Sequence, residues 1–187
     1  MTVTTVSPEL TGDYTLDLAH TRIGFSARHA MVTKVRGAFN EFEGHAHIDT
    51  AEPAKSTATI VIKAASIDTR NEQRDAHLRS NDFLDLATYP EITFASTKVE
   101  PQPGDVYRVT GDLTIRGVTK PVTFDLEFLG SGPGMGEGVV VAGFEARAEI
   151  DRRDFNVSFE GLMENGTLVV GNKVILEITV EVASQQK

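Results

Sequence analysis

The chain has 187 residues, 40% of them hydrophobic and 24% charged, which suits one globular domain with a substantial core. Its formal net charge of −9 argues against nucleic acid and anionic membrane surfaces as main partners, since both favour clustered lysine and arginine. The absence of cysteine excludes disulfides, thiolate nucleophiles and cysteine-ligated zinc.

The start of the sequence lacks the basic residues and the apolar run of a signal peptide. No stretch approaches the roughly 18 apolar residues that a membrane-spanning helix needs. We therefore expect a cytoplasmic protein without a membrane span. Residues 1–11 are predicted to form a flexible tail, and residues 12–183 a single domain.

Alternation of apolar and polar residues begins at residue 22 and predicts a strand through residue 29. Its inward face would hold Ile23, Phe25, Ala27 and His29. The inward positions are odd-numbered up to Phe39 and even-numbered from Phe42 onward. Because a β-bulge produces such a one-residue shift, we expect one long strand with a bulge at Asn40–Glu41.

Further alternating segments continue the strand pattern along the rest of the chain. They lie at 56–64, 91–99, 107–115, 119–128, 139–150 and 174–180. Arg116 and Gly117 separate two of them and predict a tight hairpin turn. The glycine-rich segment 130–138 is predicted to be a flexible loop, because no helix follows it that could complete a phosphate-binding site.

One segment, from residue 67 to residue 94, has helical character. Thr69 and Glu72 have capping-box spacing, which predicts a helix start there, and Pro90 excludes helix just before it. The segment has few apolar residues, so it cannot form the core. We expect it to cover the mouth of a barrel.

About eight strands joined mostly by short turns predict a mainly β fold with an antiparallel sheet. An eight-stranded barrel has an interior that side chains fill or that holds one small ligand. Small inward residues such as Gly37, Gly44 and Gly111 favour a cavity, whereas phenylalanines from opposite strands would fill it. An open sandwich is the alternative fold.

Two groups of polar side chains suggest chemistry. His45 and His47 share a strand face near Asp49, but that face is opposite Gly44 and should be exposed, so no metal site is predicted. The inward His29 is either a core histidine bonded to backbone or a polar anchor for a lipid head.

A basic stripe follows the predicted helix at positions i, i+4 and i+7, formed by Arg70, Arg74 and His77. Such a stripe is either a solvated helix face or a contact for an anionic or polar head group. No close set of serine, histidine and aspartate on turns indicates a nucleophile with its base, so an enzyme is not predicted.

Several segments, in this order, resemble the YceI-like family of lipocalin-like barrels that bind polyisoprenoids. They are YTLDLAHT from Tyr14, IGFSARH from Ile23, VRGAFNEFEG from Val35, RDAHLRSNDFLD from Arg74, YPEITF from Tyr89, VTGDLTIRGVT from Val109 and RRDFN from Arg152. Asn156 stands where the family often has glycine.

The resemblance implies an eight-stranded antiparallel barrel with one capping helix, an elongated apolar tunnel and often a homodimer. It also implies a long isoprenoid tail in the tunnel, carried by a quinone or a polyprenyl phosphate, and no cofactor. The residues predicted to contact this ligand are Phe25, His29, Phe39, Phe42, Ile60, Ile62, Leu78, Phe83, Phe94, Leu113, Phe124 and Phe144.

The predicted function is binding and transport or sequestration of a polyisoprenoid or similar long-chain lipid. One alternative is an enzyme that acts on a tunnel-bound lipid with His29 as base. Another is a filled barrel that serves as a stress-related interaction module.

Overall fold

The computed structural model describes residues 10–185, which form antiparallel strands and a single α-helix. The strands are β1 (Gly12–Leu16), β2 (Arg22–His29), β3 (Thr33–Phe39), β4 (Phe42–Ile48), β5 (Thr57–Lys63), β6 (Ile67–Asp68), β7 (Glu91–Pro101), β8 (Val106–Ile115), β9 (Val118–Pro133), β10 (Val140–Asp151) and β11 (Val170–Ser184). The helix α1 spans Glu72–Arg79, and 3₁₀ turns span Pro53–Lys55, Ala64–Ser66 and Arg152–Phe155. No helix of residues 10–185 is long and apolar enough to cross a membrane.

Eight of the strands close into a ring. Its order is β1–β4–β5–β7–β8–β9–β10–β11, and the pairing of β11 with β1 completes it. The closing register places Tyr14 opposite Ser184 and Leu16 opposite Val182. The predicted eight-stranded antiparallel barrel is therefore confirmed, and the sandwich alternative is wrong.

The remaining three strands extend the sheet from β11. The C-terminal end of β11 pairs with β1, whereas its longer N-terminal part pairs with β2, and β3 and β6 follow β2. This arm corrects the predicted bulge, because β3 and β4 are separate strands with different partners. Between β3 and β4 the backbone groups bond to other segments: the N–H of Asn40 donates to the carbonyl of Ser66, and the carbonyl of Glu41 accepts the N–H of Lys63.

Helix α1 begins differently from the prediction. The side chain of Asn71 caps it by accepting the N–H of Arg74 at 2.9 Å. Thr69 instead donates its N–H and its hydroxyl to the buried carboxylate of Asp75. Asparagine is as good an N-cap as threonine, so the capping-box spacing did not decide between them.

The Arg116–Gly117 hairpin turn is confirmed, with both residues in the left-handed region at φ 48° and 72°. The Arg116 guanidinium donates to the carbonyls of Phe83, Asn81 and Asn156 at 2.8–3.0 Å. It thereby fastens the β8–β9 hairpin to the segment after α1 and to the 3₁₀ turn before β11.

The described end of the predicted tail is buried, and part of the predicted glycine-rich loop is strand. Leu10 belongs to the predicted flexible tail, but it is only 2% exposed and accepts a hydrogen bond from the Tyr14 hydroxyl. Residues 1–9 of that tail lie outside the described residues. The glycine-rich segment is partly strand, because β9 runs on to Pro133 and pairs there with Val140.

Candidate functional site

A cavity of about 360 Å³ lies inside the barrel, and we call it the bore. Its wall includes Val174, Leu176, Ile178, Val180 and Val182, the alternate residues of β11. At about 3.3 Å per residue, these positions span roughly 26 Å along the strand. The bore is therefore elongated, and its wall is almost entirely aliphatic and aromatic.

Several side chains that face the bore are not fully buried. Phe25, Phe94 and Ile178 pack against the core yet remain partly accessible to solvent. An interior filled by its own side chains would bury them completely. The barrel therefore has a hollow interior, and the filled-barrel alternative is not supported.

Glycines allow two aromatic rings to lie against the wall. A Cβ atom at Gly111 would clash with the ring of Phe94, and one at Gly37 would clash with the ring of Phe25. We predicted that these small residues would leave space by themselves. The structure shows that they accommodate rings from neighbouring strands instead, which keeps those rings out of the centre of the bore.

Ring-to-ring contacts fix the same phenylalanines in place. Phe94 and Phe124 meet edge to face with centroids 5.4 Å apart, and Phe25 and Phe39 are tilted at 5.6 Å. Such pairs add roughly 0.5–1.5 kcal/mol beyond the burial of their area. The first pair joins β7 to β9 across β8, and the second joins the adjacent strands β2 and β3.

Ten of the twelve predicted ligand contacts line the bore. They are Phe25, Phe39, Ile60, Ile62, Leu78, Phe83, Phe94, Leu113, Phe124 and Phe144. Alternation along the strands was sufficient to identify most of these residues, and Leu78 and Phe83 come from α1 and the turn after it.

The other two predicted contacts, Phe42 and His29, are wrong as bore residues. Phe42 packs against the core without lining the cavity. His29 is exposed at the end of β2. The register between β2 and β11 shifts between Val170 and Val174, so the alternation that placed His29 inward does not hold at the end of the strand.

The predicted head-group contacts lie outside the wall of the bore. Arg70, Arg74 and His77 do not line the bore. Arg74 donates to the hydroxyl and the carbonyl of Thr69. His77 lies 2.7 Å from a carboxylate oxygen of Asp82. Helical spacing predicted that these basic residues share one face, but it gave no information on whether that face points towards the bore.

Sequence reasoning missed Arg152, a cationic residue of the bore wall that is 5% exposed. Its guanidinium donates to the carbonyls of Gly171, Val157 and Val170 and to the side-chain oxygen of Asn172. Burial lowers the pKa of Arg152, and the charges of nearby acidic groups oppose that shift. This guanidinium makes no ion pair within residues 10–185, so uncharged oxygens compensate its burial.

The structure does not bring His45, His47 and Asp49 together as a group of potential metal ligands. His47 lies 2.7 Å from Asp13, and Asp49 accepts the N–H groups of Ala51 and Glu52 in a turn. His45 is exposed, as expected.

In the described part of the chain, one group brings its potential metal-ligand atoms within 4.8 Å of one another: Asp17, His20 and Glu181. Burial acts to raise the pKa of Asp17, but hydrogen bonds from His20 and Ala19 outweigh it and lower the pKa. The bond to Asp17 and the charge of Glu181 raise the pKa of His20. These contacts explain why the three residues lie together: Asp17 and His20 are in the turn between β1 and β2, and Glu181 lies beside them on β11.

Comparison with known proteins agrees with this architecture. Residues 14–182 match the model of the YceI-like domain. Protein YceI of Escherichia coli O157:H7 is 41% identical over 147 residues, which cover 78% of this chain and 76% of that protein. BcnA of Burkholderia cenocepacia has a TM-score of 0.77 at 27% identity, covering 89% of this chain and 98% of its own.

A polyisoprenoid binding domain from Saccharophagus degradans has the same fold, with a TM-score of 0.66 at 17% identity over 92% of this chain and 98% of its own. The family match covers nearly the whole barrel, from β1 to the end of β11. This chain therefore belongs to the YceI-like family.

Proposed function

We propose that the protein binds a polyisoprenoid or a similar long-chain apolar lipid in the bore and carries or sequesters it. The elongated, almost wholly apolar bore is the observation that supports this most directly. A long hydrocarbon gains free energy in proportion to the apolar area that leaves water, at about 25 cal/mol per Å². It needs no charged partner along its length.

Similarity to the S. degradans protein supports the choice of lipid, since that domain is described as polyisoprenoid binding. A carrier is favoured over an enzyme acting on the bound lipid because His29, the base that the enzymatic alternative required, lies outside the bore. The ligand we propose is the isoprenoid tail of a quinone or of a polyprenyl phosphate.

Organic extraction of the purified protein followed by mass spectrometry tests the proposal. We expect long-chain lipid in near-stoichiometric amount. An extract without such lipid, from folded protein that also fails to take up an added polyprenol, would contradict the proposal.

A bore-filling variant sharpens the test. Ala146→Phe adds a ring to the wall, whereas Ala95→Phe adds the same ring to the exposed face of β7 as a matched control. We expect Ala146→Phe to fold and to bind much less lipid, because the ring occupies the space of the tail. Equal lipid content in both variants would show that the bore is not the binding site.

A further inference from the structure

The β2–β3 hairpin differs in charge from the rest of the molecule. Residues 18–40 contain none of the 27 acidic residues of the chain, whereas they hold four of its 18 lysines and arginines. The net charge of −9 argues against an anionic surface as partner, but it is a sum over the whole chain and hides the positive charge of this hairpin. A local basic surface can bind where the whole molecule would be repelled.

Three of these cations lie on the outer face of the hairpin. Arg28 is paired directly opposite Lys34, and Arg36 lies two residues further along the same face of β3. All three are exposed, and none has an ion-pair partner within residues 10–185. Like charges directly opposite each other destabilise a strand pair, so an anionic partner that neutralises them would relieve this repulsion.

Neighbouring strands do not neutralise this face near the tip. On the β2 side, β11 places Ile175 opposite Ser26 and Glu177 opposite Gly24, further from the tip. On the β3 side, β6 pairs only with Ala38 and Phe39. The stretch of β3 from residue 33 to residue 37 is thus a free edge in the described structure.

The tip of the hairpin is apolar. Met31 is 54% exposed and Val32 is 79% exposed. Ala30 and Met31 both adopt the left-handed conformation, at φ 49° and 58°. Glycine adopts this conformation most easily, so the turn is strained with these two residues. A strained turn that exposes large apolar side chains indicates a function beyond connecting two strands.

A second loop lies beside this tip, and it exposes both apolar side chains and the acidic Glu164. The N–H of Ala30 bonds to the carbonyl of Val169 at 2.9 Å, at the end of a hairpin that exposes Leu162 and Met163. These two loops contain four of the seven large hydrophobic residues exposed in the described chain. Their clustering forms a candidate interaction surface.

We propose that this surface docks the protein on an anionic lipid bilayer. The cations would lie against the head groups while the apolar tips enter the boundary with the acyl chains, as interfacial membrane-binding segments do. Ala27 and Val170 line the bore close to the two tips, so docking would bring the bore to the surface from which a lipid tail is taken or to which it is returned.

Flotation with vesicles tests the docking. We expect the protein to float with vesicles of phosphatidylcholine and phosphatidylglycerol, and to lose most of that binding on pure phosphatidylcholine or in about 1 M salt. No flotation with the anionic vesicles, or equal flotation with both compositions, would overturn the proposal.

Charge-reversal variants test whether the cations of the hairpin bind the bilayer or only protect the free edge of β3. Lys34→Glu with Arg36→Glu keeps charged residues on the free edge, so it preserves protection against strand pairing. We expect it to reduce vesicle binding at least 25-fold, since each cation near an anionic surface contributes roughly fivefold. The control, Lys120→Glu with Arg147→Glu, makes the same change in net charge on other strands and should bind like the wild type. Equal binding by the two double variants would contradict a docking role for the hairpin.

The apolar tip is tested by Met31→Ser with Val32→Ser, which should reduce vesicle binding several-fold while the charges remain. Sedimentation of the same proteins identifies the alternative partner. If the wild type is a dimer and the double substitution Lys34→Glu with Arg36→Glu makes it a monomer, the surface joins two copies and the proposal is wrong. Docking rests on surface residues alone, so wild-type protein that floats, yields no lipid on extraction and takes up no added polyprenol would overturn the carrier function and support docking.

Discussion

The ring of Phe94 occupies the space that a Cβ atom of Gly111 would need. Ser96 is the direct cross-strand partner of Gly111, so Phe94 reaches it diagonally. This contact explains how a barrel rich in phenylalanine keeps an open centre. A ring that lies on a glycine contributes apolar surface to the wall without reaching the axis.

Gly111→Ala tests this relationship. The added methyl group forces the Phe94 ring to move, so we expect a loss of about 1–3 kcal/mol in the free energy of unfolding and a smaller lipid content. Urea unfolding and lipid extraction measure the two effects. Gly143→Ala is the control, because a Cβ atom there has no neighbour closer than 3.9 Å. Equal effects of the two substitutions would contradict the account.

The Arg116 guanidinium gives a second prediction. Arg116→Ala removes three hydrogen bonds to backbone carbonyls, two of which hold the segment after α1. We expect a loss of about 1–3 kcal/mol in stability and faster amide exchange at Leu84 and Leu86, while strand β10 keeps its protection.

An exposed ion pair provides the control for Arg116. Arg108 lies 3.2 Å from Asp125 with both side chains largely exposed, so Arg108→Ala should cost no more than about 1 kcal/mol. If exchange near Leu84 is unchanged in Arg116→Ala, the guanidinium does not fasten that segment.

Asn156 is predicted to accept glycine. It is left-handed at φ 58°, where its N–H bonds back to the 3₁₀ turn and its carbonyl accepts from Arg116. Asn156→Gly should leave stability nearly unchanged, whereas Asn156→Ala should cost about 1–2 kcal/mol because a β-carbon is strained there. Thermal or urea unfolding of both variants measures the difference, and equal stability of the two would contradict this interpretation of the turn.

Asp151 makes stability depend on pH. A hydrogen bond from Arg153 is the main cause that lowers the pKa of Asp151 from 3.8 to about 2. Because the folded state holds the carboxylate charged, its contribution is complete above about pH 4 and is lost as the pH falls towards 2.

Asp151→Asn should flatten that part of the dependence of unfolding free energy on pH, since asparagine keeps an oxygen for the Arg153 N–H but does not titrate. Arg153→Met should have the same flattening effect, because it removes the partner that shifts the pKa. Urea unfolding at a series of pH values between about 2 and 6 measures the slope. An unchanged slope in both variants would show that other groups cause the acid dependence.

Features that depend on local alternation were predictable from sequence. Residues such as Ile60, Ile62 and Leu113 face the bore because every second residue of a strand does. The Arg116–Gly117 turn followed from its residue types. The closed eight-stranded barrel was predictable from the number of alternating segments and the short turns between them.

Features that depend on the choice of partner were not predictable in this way. The break after Phe39 looked like a bulge because alternation does not reveal that β3 and β4 pair with different strands. His29 was placed inward because the register shift lies on its partner, β11. The buried position of Arg152 in the bore wall was not predictable from alternation, since its oxygen partners lie between 5 and 20 residues further along the chain.

The pairing of β1 with the end of β11 has a consequence for biosynthesis. Tyr14 meets Ser184 and Leu16 meets Val182, so the two ends of the domain sequence form the last seam of the barrel. A growing polypeptide cannot complete this seam until the whole of β11 has left the ribosome. Enclosure of a hydrophobic guest must therefore follow the synthesis of β11, and an early stop codon that removed the residues from Val182 onward would leave the tube unsealed along one side.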